Sequence, residues 1–304
     1  KKKMILVGVH SPNAALEILL DKVADDPSVL VFTETTSNLY NKRFVNSIDN
    51  LIFNLTEEEF TSLQPDILLT FGGMIVSKKI KKFLRNYSPK EHWHVNELRA
   101  FDTYQVLSKH LKIDSHSFFK HFCELVDYDN KSTYESTWTH YKQRIREKHN
   151  HYIKTAPYSD LKVFEQVLKV IPDFSEVQFS NSAIIRYSQL FEMNSTITVF
   201  CNRGTSGIDG STSTALGAAY ATQKPTTLIT GDLSFFYDSN ALWNNYIPSD
   251  VRIVIINNSG GGIFKIIPGP KKSTALKYFE TPHCLTAEHL CVMFGFEYST
   301  AHNL

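Results

Sequence analysis

Cysteine is scarce in this 304-residue sequence: Cys123, Cys201, Cys284 and Cys291 are the only four, and none forms a C-x-x-C pair. That excludes a dense disulfide framework and fits a reduced, cytoplasmic-type protein. Long apolar runs are also missing. No stretch approaches the ~18–20 apolar residues needed to span a bilayer. Lys1-Lys2-Lys3 precede Met4-Ile5-Leu6-Val7, but the run breaks at Gly8 and His10 without a cleavage-site pattern, so it reads as a first strand and not a signal peptide. Nor is there an excess of one charge. With 32 Lys and Arg against 31 Asp and Glu, the whole chain has no electrostatic reason to bind nucleic acid or an anionic membrane. Hydrophobic residues make up 42% and charged residues 21%, enough to build two domains of ordinary size. Secreted mini-proteins, repeat arrays and membrane spans are excluded, leaving an enzyme or ligand-binding protein.

The hydrophobic pattern alternates strand and helix. Residues 4–9 form a short apolar strand, and residues 14–24 place Leu16, Leu19, Leu20 and Val23 at helical spacing. Strands follow at 29–32, 67–71 and 92–95. Thr56-Glu57-Glu58-Glu59 has the form of a capping box, and Ser77 caps a basic helix over 78–84. Residues 97–155 are aromatic and polar and predict helices and a connector without a strand. The alternation then resumes: helices at 161–171 and 182–191 (capped by Asn181-Ser182), a strand at 196–200, a glycine-rich turn, a helix at 212–221, strands at 226–230 and 252–256, and a helix at 286–294. A further strand is expected to start at 296–300. The expected class is α/β, with two doubly wound domains of mainly parallel sheet, 1–150 and 151–304. The pattern stops without a closing element, so the sequence is expected to be a piece of a longer protein.

Open parallel sheets bind ligands beyond the carboxyl ends of their strands. Two such ends carry hard-cation chemistry: Gly231-Asp232-Leu233-Ser234, and Asn257-Asn258-Ser259-Gly260-Gly261-Gly262. Asp232 and Asn258 lie 26 positions apart, the length of one strand–helix–strand crossover. If the strands are neighbours, the two can share a cation with a carbonyl from the glycine run. One carboxylate and two neutral oxygens do not hold Mg²⁺ alone, because that ion shares its ligands with phosphates and water. A diphosphate–metal site is the sharp reading; ordinary loop residues at strand ends are the bland one. His92 and His94 share a face of a strand but have no third ligand at a recognisable zinc spacing. His149 and His151 read as connector residues, and Cys284 and Cys291 as core.

The longer motifs are Asn202-Arg203-Gly204-Thr205-Ser206-Gly207-Ile208-Asp209-Gly210, Gly231 to Leu242 beginning Gly-Asp-Leu-Ser-Phe-Phe, and Asn257 to Phe264. With Asn181 to Arg186 and Phe71 to Lys79, they resemble the thiamine-diphosphate-dependent enzymes, and among them the 2-succinyl-5-enolpyruvyl-6-hydroxy-3-cyclohexene-1-carboxylate synthase family. Leu233 stands where the general thiamine motif has glycine, a departure typical of that synthase family.

The resemblance implies that 1–150 is a middle domain of transhydrogenase type with a connector, and that 151–304 is a diphosphate-binding domain cut short at its carboxyl end. The pyrimidine domain, with the glutamate that activates the cofactor, would be absent, so no catalytic residue is expected in this chain and little turnover from it alone. It implies thiamine diphosphate with Mg²⁺ or Mn²⁺ held by Asp232, Asn258 and the Gly260 carbonyl. Ser206, Gly207, Ile208, Gly231, Leu233 and Ser234 would also touch the cofactor, Ile208 lying beneath it unless it is an ordinary core residue. Ser182, Arg186 and Arg203 would hold the carboxylates of 2-oxoglutarate and isochorismate, although surface salt bridging is the bland alternative for the arginines. Ile263, Phe264 and Ile267 would wall the isochorismate ring. Lys78 and Lys79 would lie near a substrate entrance or simply on a solvated helix face. The implied protein is a transferase of menaquinone biosynthesis, homodimeric or homotetrameric, without nucleic-acid or membrane partners. Another thiamine-dependent 2-keto acid lyase or decarboxylase, or a non-catalytic cofactor-binding module, remains as an alternative.

Overall fold

The structure is a computed structural model describing residues 1–125, 131–267 and 269–303. It divides into two compact units, one of residues 1–155 with 189–195 and one of 156–188 with 196–304.

The first unit is built on five parallel strands: β1 (Lys3–Val7), β2 (Val29–Thr33), β3 (Ile67–Phe71), β4 (Glu91–Val95) and β5 (Leu107–Leu111). Their order is β2-β1-β3-β4-β5. Six helices accompany them: α1 (Ala14–Val23), α2 (Ile48–Ile52), α3 (Glu57–Leu63), α4 (Lys78–Asn86), α5 (Ser115–Cys123) and α6 (Tyr134–Thr155). A parallel sheet covered on both faces needs strands that are apolar at every position, because successive side chains point to opposite sides. β1 shows the rule. Met4 and Leu6 join Ile80, Phe83, Leu84 and Trp138 on one face. Ile5 and Val7 join Leu16, Leu20, Val23 and Phe119 on the other. The capping box at Thr56 forms in full, with Glu59 N–H donating to Thr56 Oγ1 and Thr56 N–H to Glu59 Oε2. Ser77 caps α4 by accepting from Ile80 N–H.

Residues 189–195 return to this unit as a strap. Thr35 N–H donates to Gln189 Oε1 (3.1 Å) and Asn50 Nδ2 to the Leu190 carbonyl (3.0 Å). The Phe191 ring meets His149 edge-on, and Glu192 pairs with Arg146 at 2.7 Å.

The second unit has a four-stranded parallel sheet in the order β7-β6-β8-β9. Its strands are β6 (Glu176–Phe179), β7 (Thr198–Cys201), β8 (Thr226–Gly231) and β9 (Val251–Ile256). The helices are α7 (Asp160–Val170), α8 (Ala183–Ser188), α9 (Ser211–Thr222), α10 (Asp232–Tyr237), α11 (Leu276–Glu280) and α12 (Glu288–Phe294). Leu216, Phe235, Ala241, Leu242 and Ala287 form one buried cluster of this unit beside half-buried Ile253 and Ile255. Phe164 of α7 stacks on Phe179 of β6.

Four details differ from the sequence reading. β5 lies in the stretch expected to be strand-free. It is an edge strand whose Ser108 and Lys109 are exposed, so it carries no apolar run. β6 was also not expected, because Glu176 and Gln178 interrupt its pattern. Both are buried there, Gln178 Nε2 donating to Glu176 Oε1 at 2.7 Å. The helix expected over 182–191 stops at Ser188, and Ser182 has a left-handed φ of 68° ahead of it. Residues 296–300 form no strand. Among the described residues, no helix is long and apolar enough to cross a membrane, and no cysteine forms a disulfide.

Candidate functional site

Each of the four parallel strands of the second unit ends in residues singled out by their chemistry. β6 runs into Asn181 and Ser182, β7 into Asn202 and Arg203, β8 ends at Gly231 ahead of Asp232, and β9 runs into Asn257 and Asn258. β8 and β9 are direct neighbours, with Gly231 opposite Ile256, so the Gly-Asp and Asn-Asn turns leave one edge of the sheet side by side. Chain order reverses between β6 and β8, which is where open α/β sheets form their ligand crevice.

Asp232 is 2% exposed. Its Oδ1 accepts from Leu233 N–H at 2.6 Å, and its Oδ2 from Gly260 N–H at 2.9 Å. The glycine loop after β9 is therefore folded back onto the carboxylate. Gly260 has φ +142°, and a Cβ there would meet the Glu280 carbonyl oxygen at 2.6 Å, so only glycine lets the loop pass. Asn258 donates through Nδ2 to Asp160 Oδ2 at 2.8 Å, which leaves its amide oxygen as the atom a cation would take. The candidate donors are thus a buried carboxylate, an amide oxygen and a main-chain carbonyl on adjoining loops. This all-oxygen set fits Mg²⁺ or Mn²⁺ shared with a diphosphate.

The glycine-rich turn after β7 is tied to the other strand ends. Asn181 Nδ2 donates to the Gly207 carbonyl (2.9 Å), and Arg203 Nη1 donates to Asn181 Oδ1 (2.5 Å). Ser234 Oγ donates to the Ile208 carbonyl at 2.5 Å, joining the turn to the Asp232 loop. Ser206, with φ 74°, and Gly207 are exposed, and Ile208 is half-buried rather than in the core. Arg203 is 9% exposed, and its Nε has no hydrogen-bond partner. Burial of a guanidinium at a strand end does not match a surface salt bridge. Arg186 lies half-buried on α8, four residues after Ser182 with its left-handed φ. Ile263, Phe264 and Ile267 stand half-buried on and just after the short helical turn Gly262–Lys265, Phe264 packing on Phe279.

Lys78 and Lys79 belong to the first unit. Both are exposed at the start of α4, and Lys79 Nζ lies 4.2 Å from the centroid of the Phe53 ring. His92 and His94 share a face as expected, but they converge on the Thr70 hydroxyl, at 2.8 and 2.7 Å. Burial holds both imidazoles below the ordinary histidine range. Among the described residues, no group of three or more His, Cys, Asp or Glu is arranged to hold a metal ion. The sequence reading missed Asn181 as a tie between loops, Asp160 as the partner of Asn258, and His283. A histidine directly after a proline, two dozen residues past Asn-Asn, is the only signal His283 offers in the sequence.

The chain matches the family model described as "Middle domain of thiamine pyrophosphate" over residues 4–177, more than half its length. It is 51% identical to the 2-succinyl-5-enolpyruvyl-6-hydroxy-3-cyclohexene-1-carboxylate synthase of Flavobacterium psychrophilum, covering 99% of this chain and 55% of that protein. The proteins of the same name from Flavobacterium johnsoniae and Christiangramia forsetii are 49% and 52% identical, with all of this chain and 55% and 53% of theirs covered. The chain spans about half the length of the curated relatives it matches. On the family match, joined to its parallel α/β architecture, the chain belongs to the family of thiamine pyrophosphate middle domains.

Proposed function

We propose that the complete protein joins 2-oxoglutarate, with loss of CO₂, to isochorismate, forming 2-succinyl-5-enolpyruvyl-6-hydroxy-3-cyclohexene-1-carboxylate for menaquinone biosynthesis. The observation that supports it best is the convergence of Asn181, Arg203, Asp232 and Asn258 at the carboxyl ends of four adjacent parallel strands. The likeness to synthases of that name over nearly the whole chain supports the substrate pair.

In this reading the first unit is the middle domain and the second the diphosphate-binding domain. Thiamine diphosphate, when bound, supplies the electron sink for decarboxylating a 2-keto acid and adding its acyl carbon to a second substrate. Asp232, Asn258 and the Gly260 carbonyl hold Mg²⁺ or Mn²⁺. Gly231, Leu233 and Ser234, with Ser206, Gly207 and Ile208, would hold the cofactor. Arg186 and Arg203, with Ser182, orient substrate carboxylates, for which guanidinium forks are suited. Arg203 is already held in place by Asn181. Ile263, Phe264 and Ile267 offer an apolar wall that keeps water from the second substrate. The protein works as a homo-oligomer in the cytoplasm.

Calorimetric titration of the complete protein with thiamine diphosphate and Mg²⁺ tests the site. Saturable, cation-dependent binding is expected, and it should be lost in Asp232→Ala. Binding that survives the substitution would remove Asp232 from the site. Product analysis with 2-oxoglutarate tests the reaction: the joined product should appear only when isochorismate is present. CO₂ release with no joined product would point instead to a lyase or decarboxylase.

A further inference from the structure

His283 stands outside every motif discussed above, yet its side chain reaches the buried end of the Asp232 loop. Its Nδ1 accepts from Leu285 N–H at 3.1 Å. In a neutral imidazole that leaves the hydrogen on Nε2. Nε2 lies 3.3 Å from Asp232 Oδ2, with the two side chains only 10% and 3% exposed. The ring is held edge-on against Phe236 of α10, with centroids 5.5 Å apart. Nε2 nevertheless makes no well-aligned hydrogen bond to any group. A buried N–H without an aligned partner is costly, and native structures keep such groups where something uses them.

The backbone around His283 is built to keep it there. His283 N–H donates to the Ser259 carbonyl at 3.3 Å, and Gly261 N–H donates to the Glu280 carbonyl at 2.7 Å. Asn257 Nδ2 donates to the Leu285 carbonyl at 2.9 Å. The glycine loop and the segment following α11 are therefore laced together, and both present a donor to the same carboxylate oxygen. Leu233 N–H takes Oδ1. Gly260 N–H takes Oδ2, and His283 Nε2–H stands beside Oδ2 from a second direction. A carboxylate has about four lone-pair positions. The two backbone donors bond Asp232, and His283 Nε2–H, 3.3 Å from Oδ2, occupies the remaining side of that oxygen, which leaves one position on Oδ1 to turn toward a cation.

We infer that His283 is a positioning residue of the cation site, its Nε2–H orienting the Asp232 carboxylate. The inference rests on the assignment of Asp232 as a cation ligand under the proposed function. It assigns His283 no direct contact with metal or cofactor. Groups that orient metal ligands typically change metal affinity by about 10- to 100-fold when removed.

Two substitutions separate the contact with Asp232 from the contact with Leu285. In His283→Gln the side-chain amide nitrogen reaches the place of Nε2 and keeps a donor for Asp232. In His283→Asn the amide reaches only as far as Nδ1, so it keeps an acceptor for Leu285 N–H and loses the donor. Mn²⁺ affinity of the complete protein is measured with saturating thiamine diphosphate at one fixed pH, by the loss of the free-ion paramagnetic resonance signal. Thermal midpoints are recorded in parallel. His283→Asn is expected to weaken Mn²⁺ binding by about tenfold or more, and His283→Gln to remain within about threefold of wild type. Equal affinities in the two variants, whether both weakened or both unchanged, would overturn the inference, because a purely structural histidine would show that result in step with the thermal midpoint. Asp232→Ala is run beside them. If it too binds Mn²⁺ like wild type, the assignment of the site itself fails, and not the role of His283 alone.

Discussion

Glu34 and His92 give the first unit opposite pH dependences, and replacing Glu34 by glutamine separates them. Glu34 follows β2 directly and is 2% exposed. Its two oxygens accept from Val76 N–H (2.6 Å) and Ser77 N–H (2.7 Å) just ahead of α4. Burial pushes its carboxyl up to about 7 from the ordinary 4.5, more than those two donors pull it down, and nearby Asp49 adds to the rise. The folded state thus holds the proton more tightly than the unfolded chain. Its contribution to stability is complete below pH 4.5 and is lost as pH rises through about 7, a swing of about 3 kcal/mol. His92 works the other way. Burial first, and His94 second, lower it to about 4 from 6.5. Its contribution is complete above pH 6.5 and is lost as pH falls through about 4, again by about 3 kcal/mol. Between pH 4.5 and 6.5 the two slopes cancel in the wild type.

Glu34→Gln keeps one oxygen for one of the two N–H groups and turns an NH₂ toward the other, costing about 1–3 kcal/mol at acid pH. Because glutamine cannot ionise, stability measured against wild type should shift toward the variant by about 3 kcal/mol between pH 4.5 and 7.5. Native-state hydrogen exchange at the β1 and β3 amides, corrected for intrinsic rates, reports this for the first unit alone. A variant-minus-wild-type difference constant within about 0.5 kcal/mol over that range would refute the reasoning.

Two other outcomes are expected. Gly8→Ala should destabilise the first unit by at least about 2 kcal/mol, because its Cβ would stand 2.0 Å from the Gly73 carbonyl oxygen and the β1 and β3 ends would have to part; an unchanged unfolding midpoint would count against that close approach. Asn181→Ala removes the acceptor of Arg203 and the tie to Gly207. Under the proposed function, KM for 2-oxoglutarate should then rise about tenfold, equivalent to about 1.4 kcal/mol, with a smaller change in kcat; a KM within twofold of wild type would show that Asn181 does not set the arginine's position.

What the sequence reveals of this chain depends on whether a feature is carried by one segment or by several. β1 and β3 are legible because a strand buried on both faces must be apolar at nearly every position, and residues 4–7 and 67–69 are. The capping box at Thr56 is legible because both of its hydrogen bonds lie within four residues. β5 and β6 are not, since an edge position excuses Ser108 and Lys109 from apolarity and a private hydrogen bond satisfies the buried Glu176 and Gln178. The candidate site divides along the same line. Gly-Asp and Asn-Asn declare themselves because each turn carries its chemistry in consecutive residues, and the parallel pairing of β8 and β9 brings the two together. Asn181, Asp160 and His283 do not. Each acts on a residue in another strand-end loop: Asn181 on Gly207 and Arg203, Asp160 on Asn258, and His283 on Asp232. No local pattern marks such a residue, since its role exists only once the loops are folded against one another. Residues that supply chemistry are therefore read from motifs, while residues that aim it are read from the fold.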